Sequence, residues 1–215
     1  MQAILFDLDN TLYPAEKDLF SLIDVRINRY MQEVVAIDLD EVDGLRKRYW
    51  QEYGTTLQGL IRHHRVNPED YLDYVHAVDV GSRLEPDAEL RRVIETLPLP
   101  SYVFTNASRC HVDRVVAALG LEGLFADVFD IRIDAYQPKP HPGPYQQVLS
   151  RIKLSGDCCV MVEDQPQNLK TAKQLGMRTV LVGGQVSAEH SYVDARLQRS
   201  AEIAGVIEQW REMQN

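Results

Sequence analysis

The sequence predicts an α/β protein: a doubly wound parallel sheet interrupted by an all-helical insertion. Three observations carry that expectation. Short apolar runs recur along the chain, and runs without polar alternation suit strands buried on both faces. In the second half these runs alternate with helical patterns, as βαβ units do. From about residue 15 to residue 81 the alternation stops and only helical patterns remain.

The first run is Ala3-Ile4-Leu5-Phe6, and it predicts the first strand. Lys17 to Val35 reads as a helix, with apolar residues at 19, 20, 22, 23, 27, 30, 31 and 34. Asp40 to Tyr53 and Thr56 to His64 follow as helices. Asn67-Pro68-Glu69-Asp70 opens another: a capping side chain, a proline at the first helical position, then acids at the positive end of the dipole. Pro86 to Leu97 is the next helical pattern. Ser101 to Thr105 predicts a strand, and Ser108 to Leu119 a helix ended by Gly120. Asp127 to Ile133 is a further strand candidate. Pro144 to Ile152 is helical, Cys158 to Val162 a strand, Pro166 to Leu175 a helix closed by Gly176, and Thr179 to Gly183 a strand. The expected division is a core of residues 1–14 and 82–215, with residues 15–81 inserted as a helical cap. Tyr13-Pro14 and Gly81-Ser82 are the expected hinge.

Composition narrows the function. The 215 residues are 45% hydrophobic and 26% charged, enough apolar material for a real core. Lys and Arg number 23 against 32 Asp and Glu, a net charge of −9. Such an acidic chain argues against nucleic-acid polymers and anionic membranes as partners, since both need clustered basic residues. It leaves phosphorylated small molecules open, because one metal ion reverses the local field. Three cysteines, two of them adjacent, build no disulfide framework. No apolar run approaches a membrane span, and MQAILFDLDN lacks the pattern of a signal peptide. The expectation is a cytoplasmic monomer or homodimer.

The candidate chemistry lies at strand ends. Asp7 and Asp9 follow the first strand, and ligands of open α/β sheets bind beyond the carboxyl ends of strands. The same tripeptide recurs at Asp38-Leu39-Asp40, where no strand precedes it, so there it reads as a helix start. Thr105-Asn106 ends the second strand. Lys139 stands between prolines in Gln137-Pro138-Lys139-Pro140. Glu163-Asp164 ends a later strand, with Asn168 four residues beyond Asp164. Taken singly, Glu163-Asp164 is as readily a helix N-terminus, Lys139 a solvated lysine, and Thr105-Asn106 plain capping. All four in order at strand ends point to one site. His63-His64 does not suggest a metal site, since adjacent helical side chains diverge.

These four motifs, DLDNT, FTNAS, QPKPHP and VEDQPQN, resemble those of the haloacid dehalogenase-like hydrolase superfamily, whose core is Rossmann-like. The resemblance implies a phosphatase in which Asp7 attacks phosphorus and forms an aspartyl-phosphate. It implies that Asp9 protonates the leaving oxygen, then activates water, with a pKa above that of Asp7. Thr105, the amide of Asn106 and Lys139 would bind phosphate. Asp7, the backbone carbonyl of Asp9, Glu163 and Asp164 would hold Mg²⁺, a hard cation suited to oxygen ligands. Asn168 would orient the acids or Lys139. FDLDNTLYP, YGTTLQGL in the cap and QPKPHP look like the pyrimidine 5′-nucleotidase branch, with UMP or CMP as substrate and Tyr13 and Tyr53 stacking on the base. Glu163 and Gln165 depart from the commonest Asp and Ser. Alternatives are a phosphatase or phosphomutase for a sugar phosphate or pyridoxal phosphate, and a phosphate-binding regulatory module without turnover. Asp9 argues against a dehalogenase, and the lack of a desolvated cap lysine against a phosphonatase.

Overall fold

A computed structural model describes residues 1–183 and 190–213. Six strands form one parallel sheet: β1 (Ala3–Phe6), β2 (Ser101–Phe104), β3 (Asp127–Phe129), β4 (Cys159–Glu163), β5 (Arg178–Val182) and β6 (Ala195–Leu197). Their order across the sheet is β3-β2-β1-β4-β5-β6. Every pairing is parallel. The sheet is covered on both faces, which is why its strands read as apolar runs. Ile4, Phe6, Val103, Val160, Val162, Val180 and Val182 point to one face. There they meet α5 (Ala88–Thr96), α6 (Arg109–Ala118) and α9 (Ile203–Glu212). Ala3, Leu5, Phe104, Cys159, Met161 and Leu181 point to the other. These meet α7 (Pro142–Ile152) and α8 (Pro166–Gln174). The alternation along β1 and β4 is the two-residue period of a strand serving two cores.

Four helices separate β1 from β2: α1 (Leu19–Glu33), α2 (Leu39–Tyr53), α3 (Thr56–His64) and α4 (Pro68–Val75). They enclose a second apolar cluster around Ile23, Tyr30, Met31, Tyr49, Leu60 and Leu72. Their starts follow the local chemistry. Asn67 caps α4, accepting from the Glu69 amide at 2.9 Å, and Pro68 takes the first turn. Asp38 stands at the N-terminus of α2, as the second DLD tripeptide implied, though its side chain makes no capping bond.

The segment Tyr53 to Leu60 is a seam. Gly54 ends α2 with a φ of 83°, and an added Cβ would lie 3.0 Å from the Pro138 ring. Thr55 caps α3, and Gln58 donates to the Tyr136 carbonyl at 2.6 Å. Gly59 lets α3 rest on Tyr49: a Cβ there would fall 2.0 Å from that ring. Gly59→Ala is therefore expected to destabilise by about 1–3 kcal/mol through overpacking, although alanine is the better helix former. A lowered denaturant midpoint at unchanged slope checks this; an unchanged midpoint contradicts it.

The structure differs from expectation at three places. The run from Asp127 forms a strand only to Phe129, and Ile131–Asp134 turn as a 3-10 helix. Asp130 ends the strand by accepting from the Arg132 and Arg109 amides. Strand β6 and helix α9 extend the sheet and one helical layer beyond the expected elements. The three cysteines are free, as their spacing implied. Among the described residues no helix is long and apolar enough to cross a membrane.

Candidate active site

Strands β1 and β4 are neighbours at the point where the strand order reverses, where α/β sheets bind ligands. Their register sets Phe6 beside Val162, and the Asp7 amide donates to the Val162 carbonyl at 2.9 Å. Asp7 thus leaves β1 beside Glu163, the last residue of β4. Carboxylate oxygens of Asp7, Glu163 and Asp164 lie within 4.8 Å of one another.

Lys139 enters from the loop before α7 and is 2% exposed. Its ammonium donates to Asp7 Oδ1 at 2.8 Å, Glu163 Oε2 at 2.7 Å and the Phe104 carbonyl at 2.8 Å. All three ammonium hydrogens are engaged, so the amine is fixed in position. Asn106 holds the Lys139 backbone from both sides: its Nδ2 donates to the Lys139 carbonyl at 3.0 Å, and its Oδ1 accepts from the Lys139 amide at 2.8 Å. The Asn106 side chain is committed to that loop, so its backbone N–H is the group left for an anion. Thr105 is buried at the end of β2, and its Oγ1 accepts from the Ala107 amide at 3.1 Å. Gln165 donates its side-chain amide to Asp164 at 2.7 Å and its backbone amide to Glu163 at 3.2 Å. Asn168 lines the same cavity, but among the described residues its side chain bonds neither the acids nor Lys139. Asn168 sits in the first turn of α8.

Three carboxylates face one lysine, so the cluster is short of positive charge. Burial, then the nearby Glu163, pushes Asp7 up to about 7. Burial pushes Glu163 up to about 7 against the pull of Lys139, and burial also raises Asp164. Burial opposes the charge of Lys139, but Asp7 and Glu163 outweigh it and hold the amine above its ordinary value. A divalent cation with oxygen ligands fits this donor set, since it supplies the missing charge to hard carboxylate oxygens. A carboxyl raised in the folded state binds more protons folded than unfolded between its two pKa values. Without metal, stability should therefore fall as pH rises from the unfolded values of 3.8 and 4.5 toward about 7. Mg²⁺ should raise the melting temperature more at about pH 8 than at about pH 5, because protons no longer compete. Equal stabilisation at both pH values would contradict the coupling.

Asp9 has different surroundings. Its Oδ1 accepts from the Tyr13 hydroxyl at 2.6 Å and from His111 Nε2 at 2.9 Å. Burial opposes its ionisation, but the His111 and Tyr13 bonds outweigh it and hold Asp9 below its ordinary value. In the metal-free protein Asp7 is therefore raised and Asp9 lowered, whereas the expected order belongs to the site with its cation bound. Asp7 shares a dry cluster with two more acids, whereas Asp9 has donors of its own. His111 carried no motif signal. Its trace in the sequence is a histidine on the inward face of α6, among Val112, Val115 and Val116.

Above these groups lies a cavity of about 580 Å³. Asp7, Asp9, Thr105, Asn106, Lys139, Glu163 and Asp164 line its sheet side. Ile23, Ile27, Leu57, Leu72 and Val75 line the helical side, together with the charged Asp43, Arg46 and Lys47 of α2. Phe20 and Trp50 line it too, and both are exposed, at 41% and 51%. Tyr13 and Tyr53, expected to stack on a base, do not line it. The Tyr13 ring is buried in the core under Asp9, and Tyr53 bonds His63 on the outer side of the helices. Tyr71, Phe20 and Trp50 are the aromatics on the cavity wall.

A parallel α/β sheet with acids and a buried lysine gathered at its switch point defines a hydrolase core of one known class. The chain belongs to the haloacid dehalogenase-like hydrolase family, matched over residues 1–176. It is 27% identical over 197 residues to phosphate metabolism protein 8 of Saccharomyces cerevisiae, covering 84% of this chain and 61% of that protein. The chain therefore spans about three-fifths of that relative's length. It is 28% identical to the phosphoglycolate phosphatase of Pectobacterium atrosepticum, over 84% of this chain and 79% of that one. The crystal structure of a phosphatase of the same family from Thermococcus onnurineus superposes with a TM-score of 0.66 at 16% identity, covering 96% of this chain and 98% of the other. That likeness speaks to the fold.

Proposed function

We propose that the protein is a Mg²⁺-dependent phosphomonoester hydrolase that works through an aspartyl-phosphate on Asp7. The observation that carries this reading is the meeting of Asp7, Lys139 and the Glu163-Asp164 pair at one point beneath the cavity. A carboxylate nucleophile is repelled by an anionic ester unless positive charge is placed between them. Lys139 supplies one such charge. Asp7, Glu163, Asp164 and the Asp9 carbonyl would hold the metal, which supplies the remaining charge and keeps Asp7 ionised. Thr105 and the Asn106 amide hold the phosphoryl oxygens, and Lys139, its hydrogens engaged by Asp7, Glu163 and the Phe104 carbonyl, acts on them through its charge. Asp7 attacks phosphorus, Asp9 gives a proton to the departing oxygen, and Asp9 then takes a proton from the water that cleaves the acyl phosphate.

Residues 15–81 act as the cap over a core of residues 1–14 and 82–215, and they choose the leaving group. The apolar stretch of the wall with Trp50 and Phe20, beside the charged Asp43, Arg46 and Lys47, favours a leaving group with a flat ring and polar edges. A nucleoside 5′-monophosphate has that shape, and UMP or CMP is the first substrate to test. The name of the bacterial relative, a phosphatase, agrees with hydrolysis. The test is phosphate release from nucleotides, sugar phosphates, phosphoglycolate and pyridoxal phosphate, with Mg²⁺ or EDTA. Release that requires Mg²⁺ and is fastest on pyrimidine nucleotides is the expected result. No release from any ester would end the reading, and faster release from a small polar ester would end its nucleotide part.

A further inference from the structure

His111 and Tyr13 place two donors on one oxygen of Asp9. Tyr13 follows Asp9 by four residues in a turn where the Thr11 and Leu12 amides both donate to the Leu8 carbonyl. That turn brings the phenol back over the carboxylate. His111 arrives from α6, a hundred residues away in sequence, with a fully buried ring. A carboxylate oxygen presents two lone pairs, so Tyr13 and His111 fill Oδ1. Among the described residues no donor sits on Oδ2.

The histidine is an awkward choice for packing alone. Its Nδ1 is buried without a partner, which offsets what the Nε2 bond contributes. Leucine would fill that space without leaving a polar atom unpaired. The ring is also held in plane. His76 stacks on it with centroids 4.7 Å apart and planes 19° from parallel. His76 is anchored in turn: its Nδ1 pairs with Ser108 Oγ at 2.9 Å, and its carbonyl accepts from Arg114 at 2.6 Å. It ends α4, so the stack joins the helical insertion to α6.

We infer that His111, with Tyr13, is a positioning residue that grips Asp9 by Oδ1 and leaves Oδ2 as the atom that carries the proton in both half-reactions. This rests on the phosphatase reading above and assigns the residues that aim its acid–base group. In the first half-reaction the bond from an Asp7 oxygen to phosphorus forms as the ester P–O bond breaks. The proton on Asp9 Oδ2 passes to the departing oxygen. In the second, a water oxygen bonds phosphorus, the acyl-phosphate P–O bond breaks, and a water proton returns to Oδ2. Nothing else is consumed. His111 and Tyr13 keep their own protons throughout.

The test compares wild type with His111→Leu, His111→Gln and Tyr13→Phe on the best Mg²⁺-supported phosphomonoester. A glutamine amide can replace the Nε2 donor, so it serves as the conservative rescue. His111→Leu should lower kcat by about 10–100-fold with KM changed by less than about threefold, the pattern of a misaimed group rather than lost binding. His111→Gln should recover most of the loss. Tyr13→Phe keeps the ring and its packing, and should show the same kcat-selective defect even where His111→Leu does not fold. The inference is overturned if folded His111→Leu or Tyr13→Phe keeps wild-type kcat. It is also overturned if glutamine is no better than leucine, or if the loss falls on KM. Those outcomes leave the phosphatase reading intact. A wild-type protein that hydrolyses no ester removes that reading and this inference with it.

Discussion

Asp7→Asn should leave a folded protein with no measurable phosphate release, a loss of roughly 10⁴-fold or more in kcat. Asparagine keeps the shape of the side chain but cannot attack phosphorus as an anion. The folded state should tolerate it well. In the metal-free protein Asp7 is a buried acid pushed up to about 7 by its own desolvation and by Glu163, so a neutral amide removes a repulsion. The melting temperature without metal should stay the same or rise at neutral pH, while Mg²⁺ should stabilise the variant less than wild type. Activity and melting curves together separate a lost nucleophile from a lost fold. Retained turnover would refute the assignment of Asp7.

Lys139→Met should be the most damaging single change, because it strikes stability and chemistry together. The ammonium is 2% exposed and bonds two carboxylates and a carbonyl. Removing it leaves Asp7 and Glu163 buried without their cation. Breaking a buried ion pair from one side costs about 3–5 kcal/mol. Methionine fills the channel, so lost charge rather than a cavity sets the effect. Two measurements check this: the denaturant midpoint in EDTA, expected to drop sharply, and kcat in saturating Mg²⁺, expected to fall by about a hundredfold or more. Mg²⁺ should restore part of the stability but not the activity. A midpoint and a kcat both near wild type would show that Lys139 is an ordinary buried lysine.

The parts of the molecule that could be read from sequence are those where local chemistry and tertiary place agree. Ala3–Phe6 and Cys159–Glu163 are buried on both faces, so their apolar runs announce central parallel strands. Asn67-Pro68 and Thr55 mark helix starts because their side chains satisfy free amides nearby. The acids were legible because Asp7 and Glu163-Asp164 stand at strand ends that the strand order brings together, whereas Lys139 reaches them from the loop before α7. The short strand β6 was hidden for the opposite reason. Three residues carrying Arg196 at the sheet edge present no apolar run.

Long-range partners were hidden for a different reason. Asp9 and His111 meet across a hundred residues, and a lone histidine on a helix gives no sign of what it touches. Tyr13 is no platform for a base, because its ring is buried and its hydroxyl is taken by Asp9. Four residues within one turn bring the two side chains together, and the hydroxyl lands on the carboxylate. Tyr53 ends α2 half-buried against the helical cluster, where His63 and Arg62 take its hydroxyl and ring. The cap segment Tyr53 to Leu60 proved to be largely a seam against the Lys139 loop, with Gln58 bonding Tyr136 and Gly54 against Pro138. Its glycines answer to packing.

The central claim is that an oxygen of Asp7 becomes covalently bonded to phosphorus. Acid quenching during turnover with Mg²⁺, followed by peptide mass mapping, tests it directly, most sensitively in Asp9→Asn, where hydrolysis of the intermediate is slowed. The account predicts one added phosphoryl group on the peptide bearing Asp7, labile to hydroxylamine and missing in Asp7→Asn. Turnover with no phosphorylated peptide under these conditions, or with the phosphoryl group on any other residue, would contradict it.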